Sequence, residues 1–356
     1  MRRRKLRKKS VAVLGATGAV GQRVCDMLRD HPWFEVTALT GGASIGKRYR
    51  EAAKWLLPAD MPEPLSELEV RPSTPDGIEA DLALSALPAD VAREVEPLFA
   101  EAGLPVVSNA SALRMEEDVP LVVPEVNPDH VELIAPQRRN RGWRGFVATD
   151  PNCSTINLVL ALKPLQELLG IRKVIVTTMQ AISGAGYPGV PSLDILDNII
   201  PYIDGEEGKM RTETLKILGH LEAGGVRGAP FAVAAACNRV PVYDGHTEAV
   251  YLEAEERVDL DDVREAFRNF RGGAHDLGLP TAPEAPVILR EEEDRPQPRL
   301  DRMAGTVPGM SVSVGRLRHG IDERSLQFVV LGHNTIRGAA GGAISLAELL
   351  VAKGWI

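Results

Sequence analysis

The sequence predicts an α/β protein: a doubly wound parallel sheet over about the first 150 residues, then an α+β domain with a second, mixed sheet. Three observations predict it. Short apolar runs alternate with helical patterns up to that point, a glycine-rich turn separates the first run from the first helix, and the later runs lengthen and follow one another. With 356 residues, 44% of them hydrophobic and 25% charged, the chain has apolar material for two ordinary domains, which excludes a disordered tail or a coiled coil.

Strands are expected at SVAVLG (10–15), EVTALT (35–40), DLALSAL (81–87), PVVSNA (105–110) and FVATD (146–150). Most are apolar on both faces, as central strands covered by helices on each side must be. Between them, VGQRVCDMLRD (20–30) and ADVAREVEPLFAEAG (89–103) repeat apolar residues at three-to-four spacing, with Gly103 placed to end the second helix. At the junction, CSTINLVLALKPLQELLG begins at Cys153 and sets Ile156, Val159, Leu160, Leu162, Leu165 and Leu169 on helical spacing before Gly170 stops it. RKVIVTTMQAIS, FAVAAACNRVPV, HTEAVYLEAE, MSVSVGRLR and SLQFVVLG read as strands of the second sheet. Residues 290–310 are proline-rich and charged and read as a long loop, and TIRGAAGGAISLAELLVAKG at the end is helical with a glycine-rich start.

The formal net charge of −8 argues against wholesale attraction to nucleic acid or to an anionic membrane and favours small anionic ligands as charged partners. Three cysteines, Cys25, Cys153 and Cys237, form no C-x-x-C pair, so neither a disulfide framework nor a zinc site is indicated, and a reducing, cytoplasmic setting fits. No apolar run reaches the ~18 residues needed to span a bilayer. The amino-terminal MRRRKLRKK runs straight into the first strand and reads as a solvated tail.

GATGAVG at 15–21 follows a strand and opens a helix. In that setting glycines let backbone N–H groups approach a pyrophosphate at a helix N-terminus, and the expected contacts are Gly15, Thr17, Gly18, Ala19, Val20 and Gly21. The alternative is that the glycines serve close strand–helix packing alone. An NAD site usually has an acid at the end of the second strand, whereas this strand ends Leu39-Thr40-Gly41-Gly42 and is followed by Ser44, Lys47 and Arg48. Hydroxyl and cationic donors suit a 2′-phosphate, so NADP is the expected cofactor. Solvent-facing loop charges are the other reading of Lys47 and Arg48.

Asp150-Pro151-Asn152-Cys153-Ser154-Thr155 places a thiol at the mouth of the junction helix. Helix amides and a neighbouring base are expected to lower its pKa by roughly one unit or more from about 8.5, making Cys153 a candidate nucleophile. Cys25 and Cys237 lie within a helical and a strand pattern and read as packing residues. Among seven histidines, His246 stands out, because a turn centred on Asp244-Gly245 would present it beside Arg239.

These residues carry a resemblance. PNCST (151–155), QAISGAGYPGVPSLDILDNIIPYI (180–203), CNRVPVYDGHTEAV (237–250), SNASALRM (108–115), PEVNPDH (124–130) and RPQPRLDR (295–302) resemble, in order and through nearly the whole chain, the aspartate-β-semialdehyde dehydrogenases of the archaeal and fungal branch. The resemblance implies a Rossmann-type NADP-binding domain over 1–152, completed by a C-terminal helix at 334–356, and a catalytic and dimerisation domain over 153–333. Cys153 is then the nucleophile toward aspartyl phosphate, Gln180 orients the acyl group, and His246 is the acid/base group. Arg239 grips the α-carboxylate; Asn109, Arg114 and Lys209 hold phosphate, with Glu206 and Asn152 completing the substrate set. Ser183, Gly184 and Asn334 join the glycine turn, Ser44 and Lys47 in holding NADP. No metal is implied. The implied reaction reduces L-aspartyl-4-phosphate to L-aspartate 4-semialdehyde through a cysteine thioester, on the way to diaminopimelate, lysine, threonine and methionine. A homodimer, or a homotetramer built from dimers, is also implied.

The nearest rival is a malonyl-CoA reductase of the same fold, which would need the same cysteine and histidine. An N-acetylglutamyl-phosphate reductase would carry a cysteine motif like PGCY instead of PNCST. A catalytically silent NADP-binding protein would not need the set Cys153, Gln180, Arg239 and His246.

Overall fold

The computed structural model describes residues 7–356, so the first six residues of the basic tail lie outside the described residues. β1 (Lys9–Leu14), β2 (Phe34–Thr40), β3 (Val70–Arg71), β4 (Leu82–Ser85), β5 (Val106–Ser108) and β6 (Val147–Thr149) form one parallel sheet in the order β3-β2-β1-β4-β5-β6. β3 is only two residues long, too short to carry a periodicity. Val11 to Leu14 are fully buried, as both-faces-apolar central strands require. Helices Ala19–Met27 and Ala89–Ala102 flank the sheet, and Gly103 takes the left-handed conformation (φ 102°) that ends the latter.

The second sheet follows a small hairpin of β8 (His220–Glu222) and β9 (Gly225–Arg227) in chain order, apart from its first strand, β7 (Ile171–Gln180). With β10 (Ala232–Arg239), β11 (His246–Ala254), β12 (Val287–Leu289), β13 (Val312–His319) and β14 (Ser325–Gly332) the order is β10-β7-β11-β14-β13-β12. β10 runs parallel to β7 and β12 to β13, and the other pairings are antiparallel, so the sheet is mixed. Helix Cys153–Leu169 covers its inner face, with Ile156, Val159, Leu160, Leu162 and Leu165 fully buried against Val174, Val176, Val330 and Phe328.

Residues 290–310 are more ordered than a charged loop would be. A helical turn, Pro298–Asp301, buries the Asp301 carboxylate between Arg290 (2.9 Å) and Arg295, so these charges satisfy one another within the protein. The glycine-rich segment after β14 is a π-helical turn, Ile336–Ala340, that leads into helix Gly341–Ala352. That final helix returns to the first sheet, where Ile344, Leu346 and Leu350 pack with Val11, Val13 and Val24. No helix among the described residues is long and apolar enough to cross a membrane.

This topology sets the site. β7 and β10 end at Gln180 and Arg239, β11 begins at His246, and β14 ends at Gly332, all at one end of the second sheet's strands. Cys153 follows β6 closely, at the carboxyl ends of the parallel strands where open α/β sheets bind their ligands.

Candidate active site

Cys153 occupies the first turn of its helix, half-buried, with its Sγ 3.1 Å from His246 Nε2. The other ring nitrogen, Nδ1, accepts the Ala181 N–H at 3.0 Å. A neutral imidazole has one donor and one acceptor, so this bond puts the ring proton on Nε2, facing the sulfur. Protonating Nδ1 would set one N–H against another. Burial, with Arg239 and then His333, pushes His246 down to about 3, and the resting ring is therefore neutral.

The sulfur departs from the expectation of a lowered thiol pKa. Burial pushes Cys153 up to about 12, and Glu206 adds to the rise; Arg239 and Arg114 pull the other way without prevailing. The helix amides expected to favour a thiolate are already engaged, because Asn152 caps them. Its Oδ1 accepts from Ser154 N (2.9 Å) and Thr155 N (3.1 Å). Ligand-free, the pair is a thiol beside a neutral imidazole.

Arg239 and Gln180 are register partners on β10 and β7. Arg239 Nη1 donates to the Ala181 carbonyl (2.8 Å), and Gln180 Nε2 donates to Thr178 Oγ1 (3.2 Å). Gly184 lets Arg239 and His246 converge, since a Cβ there would lie 2.8 Å from Arg239 Nη1 and 3.1 Å from His246 Cε1. Gly338, in the π-helical turn, presses on Cys153 itself: a Cβ would lie 2.7 Å from that of Cys153.

The residues expected to hold the substrate's anions are internally braced. Asn152 Nδ2 donates to Glu206 Oε1 (2.6 Å), and Lys209 Nζ lies 3.4 Å from Glu206 Oε2. Since its carbonyl caps the helix as well, the Asn152 side chain is committed to holding the site together. Arg114 donates from Nη1 to Glu213 Oε1 (3.0 Å) and from Nη2 to the Asn109 carbonyl (2.6 Å), leaving its buried Nε without a protein partner. Asn109 Nδ2 reaches the Ser85 carbonyl (3.2 Å), and its buried Oδ1 is likewise unpartnered.

Sequence reasoning missed Glu213, which also accepts the Asn152 N–H at 2.6 Å and so links Arg114 to the helix that begins at Cys153. Its signal was present: Glu206, Met210, Glu213 and Ile217 fall on one buried face of helix Glu206–Ile217, where an acid is out of place unless paired. Glu248 was missed as well. It lies on β11 one same-face step past His246, fully buried with neither oxygen partnered, and burial, then Glu206, holds it well above the usual carboxylate range.

The glycine turn fits a dinucleotide. Gly15 has φ 74° and a Cβ there would lie 2.9 Å from the Ala86 carbonyl, while one at Gly21 would lie 2.4 Å from that of Gly15. These two satisfy the turn and its packing. Gly18 instead precedes Ala19 and Val20 at the start of a helix that no side chain caps, leaving helix-end N–H groups for a ligand. Beside it a cleft of about 300 Å³ runs between Ala19, Arg23, Ser183, Tyr187 and Thr335. Asn334 clasps the cleft's far wall, donating to Ser183 Oγ (2.7 Å) and accepting from Gly245 N (2.8 Å). Thr17 lies beside Gly41 at the end of β2. There Thr40 pairs its hydroxyl with Ser73 (2.8 Å), and Ser44 and Lys47 close a turn (3.2 Å). Arg48 is ion-paired with Glu67, which leaves Lys47 as the cation of that loop without an ion pair among the described residues. No group of three or more potential metal-ligating side chains occurs among the described residues.

Comparison with known proteins finds likenesses over nearly the whole chain. Residues 10–134 match the family model "Semialdehyde dehydrogenase, NAD binding domain", and residues 162–337 match "Semialdehyde dehydrogenase, dimerisation domain". An aspartate-semialdehyde dehydrogenase of Methanothermobacter thermautotrophicus is 56% identical over 345 residues, covering 96% of this chain and 98% of the relative. A malonyl-CoA reductase (NADP) of Metallosphaera sedula is 43% identical over 350 residues, 97% of each chain. The crystal structure of the Candida albicans aspartate-semialdehyde dehydrogenase with NADP superposes with a TM-score of 0.89 at 44% identity, covering 98% of this chain and all of the other.

Proposed function

The chain belongs to the aspartate-semialdehyde dehydrogenase family, and from that premise we propose how its residues carry the reaction. Its activity is that of an NADP-dependent aspartate-semialdehyde dehydrogenase of amino-acid biosynthesis. NADP, when bound at the glycine turn, exchanges hydride with the acyl carbon.

The observation that carries the residue assignment is the 3.1 Å contact between Cys153 and a histidine whose tautomer is set by Ala181. Cys153 attacks the acyl carbon of aspartyl phosphate; the C–S bond forms first, giving a tetrahedral adduct, and the C–O bond to phosphate breaks as that adduct collapses. His246 Nε2 carries a proton and cannot take the thiol's, so that proton leaves with the phosphate. At the tetrahedral stages His246 donates to the developing oxyanion, a contribution of about 3 kcal/mol in comparable sites. Collapse after reduction expels the Cys153 sulfur as thiolate, which recovers a proton from solvent.

Arg239 holds the α-carboxylate, and Gln180, beside it in register, orients the acyl group. Asn109, Arg114 and Lys209 receive phosphate, with Glu206 and Asn152 bracing them. Gly15 to Gly21, Ser183 and Gly184 line the dinucleotide path, Asn334 shapes it, and Ser44 and Lys47 favour the 2′-phosphate. Residues 1–152 with the helix of 334–356 act as the cofactor domain, and 153–333 as the catalytic and dimerisation domain, in a cytoplasmic enzyme. The outer face of the second sheet supports a homodimer, since Ile175, Ala232, Ala234 and Ala249 are exposed there and Leu193 and Leu196 lie exposed on the segment after β7.

The test is NADPH formation from aspartate semialdehyde with and without phosphate, alongside NADPH consumption with malonyl-CoA. Strict phosphate dependence and no malonyl-CoA turnover support the assignment; the reverse pattern replaces it with an acyl-CoA reductase. Cys153→Ala should keep NADP binding and lose turnover, and ordinary rates from it would refute the covalent route.

A further inference from the structure

Helix Ala89–Ala102 buries Ala92, Phe99 and Ala100 against the first sheet, and on the same stripe it buries Glu96, whose side chain is fully inaccessible to solvent. A carboxyl in that position is costly to bury and does no packing that leucine would not do better. Its contacts lead toward the substrate site. Ser108, the last residue of β5 and itself fully buried, donates its hydroxyl to Glu96 Oε1 at 2.5 Å and accepts the Ala110 N–H at 3.0 Å. The Ser108 carbonyl accepts the Asp150 N–H (3.1 Å), three residues before Cys153. Between Ser108 and Ala110 stands Asn109, whose carbonyl is gripped by Arg114.

We propose that Glu96 is a positioning residue for the anion end of the substrate site: its carboxyl fixes the Ser108 hydroxyl, which in turn holds the turn that carries Asn109 and Arg114. The inference rests on the assignment of Asn109 and Arg114 to phosphate. Without an acceptor at position 96 the Ser108 hydroxyl is free to rotate, and the Ala110 N–H loses a fixed partner. Only Oε1 is engaged, and Oε2 has no partner. Burial pushes the Glu96 carboxyl up to about 7, against the hydrogen bond from Ser108 and the charge of Arg114, with Asp150 the acid that interacts with it. Charged or neutral, the group offers Ser108 an acceptor oxygen, so glutamine can stand in for it and leucine cannot.

The experiment is steady-state kinetics of the full-length enzyme in the oxidative direction, with phosphate, NADP and aspartate semialdehyde varied in turn. For Glu96→Leu the phosphate KM should rise about tenfold, while the KM values for NADP and semialdehyde stay within about twofold. Glu96→Gln should return the phosphate KM to within about twofold of wild type. Ser108→Ala cuts the same link from its other end without an apolar insertion in the helix, should raise the phosphate KM alike, and serves if Glu96→Leu does not fold. Asn109→Ala separates the two layers of the argument. If it raises the phosphate KM while Glu96→Leu and Ser108→Ala do not, the positioning role is overturned and the phosphate site stands. If Asn109→Ala also leaves the phosphate KM unchanged, the phosphate assignment fails and this role with it. Equal losses in every KM, or Glu96→Gln behaving as Glu96→Leu, would mean packing alone and overturn the proposal.

Discussion

Gly338→Ala should disable the proposed nucleophile without replacing any side chain of the site. The added methyl would lie 2.7 Å from Cys153 Cβ, 3.0 Å from its Cα and 3.1 Å from its carbonyl oxygen. Carbon pairs are comfortable at about 3.5–4.0 Å, so the two backbones must part by about 0.8 Å. The π-helical turn has little room to yield. Arg337 is held in a buried two-pronged pair with Glu125 (2.8 and 2.5 Å), Gly338 N donates to the His333 carbonyl (3.0 Å), and Gly341 abuts Met310. Most of the displacement therefore falls on Cys153 and its 3.1 Å contact with His246. A shift of about 1 Å can cost 10²-fold in rate, equivalent to about 2.7 kcal/mol of transition-state stabilisation, and overpacking costs about 1–3 kcal/mol of stability. The assay is kcat/KM for semialdehyde oxidation, with NADP binding and thermal unfolding on the same preparation. A kcat/KM within about threefold of wild type, with unchanged Tm, would refute the reasoning.

Arg239→Leu should raise the KM for aspartate semialdehyde by about 10- to 100-fold, the worth of a charged two-pronged hydrogen bond, with NADP affinity unchanged; a loss confined to kcat would contradict the carboxylate role. Lys47→Ala should weaken NADP several-fold and leave NAD unaffected, so an equal effect on both cofactors in competition assays would remove Lys47 from the 2′-phosphate. Since burial pushes Cys153 up to about 12, iodoacetamide labelling of the ligand-free enzyme at this residue should quicken about tenfold per pH unit between 7 and 10, with Cys153→Ala as the blank. A plateau near neutral pH would show a resting thiolate instead. His246, held down to about 3 in the fold against about 6.5 unfolded, adds stability that is present above pH 6.5 and is lost as pH falls from there toward 3. Relative to His246→Gln, the wild type should lose about 2 kcal/mol more between pH 7 and pH 5 in urea unfolding, and parallel losses would count against a buried neutral ring.

Much of the fold was legible because its strands and helices are long enough to show a period. β1, β2, β11 and the helix from Cys153 stand within a residue or two of their expected places, and β7 starts one residue before its expected run and ends three short of it. β3, at two residues, carries no such signal, and the charged stretch at 290–310 concealed a buried aspartate because a sequence does not reveal which charges meet. In the site, a helix mouth marked Cys153 and a turn marked His246 as candidates, while Arg239 was reached through the resemblance of its motif. Glu96, Glu213 and Glu248 escaped because a lone acid on an apolar stripe looks like noise until its partners, or their absence, are known.

By itself the sequence determined the two-sheet plan and the glycine turn, which depend on local pattern, and it offered candidates for the chemistry through residue type and the resemblance of its motifs. Tertiary structure alone decided their states: which nitrogen of His246 bears the proton, why Cys153 rests as a thiol, and how closely Gly338 approaches it. Tautomer, pKa and contact distance are set by neighbours brought from remote parts of the chain and by the water they displace, and no run of consecutive residues encodes them.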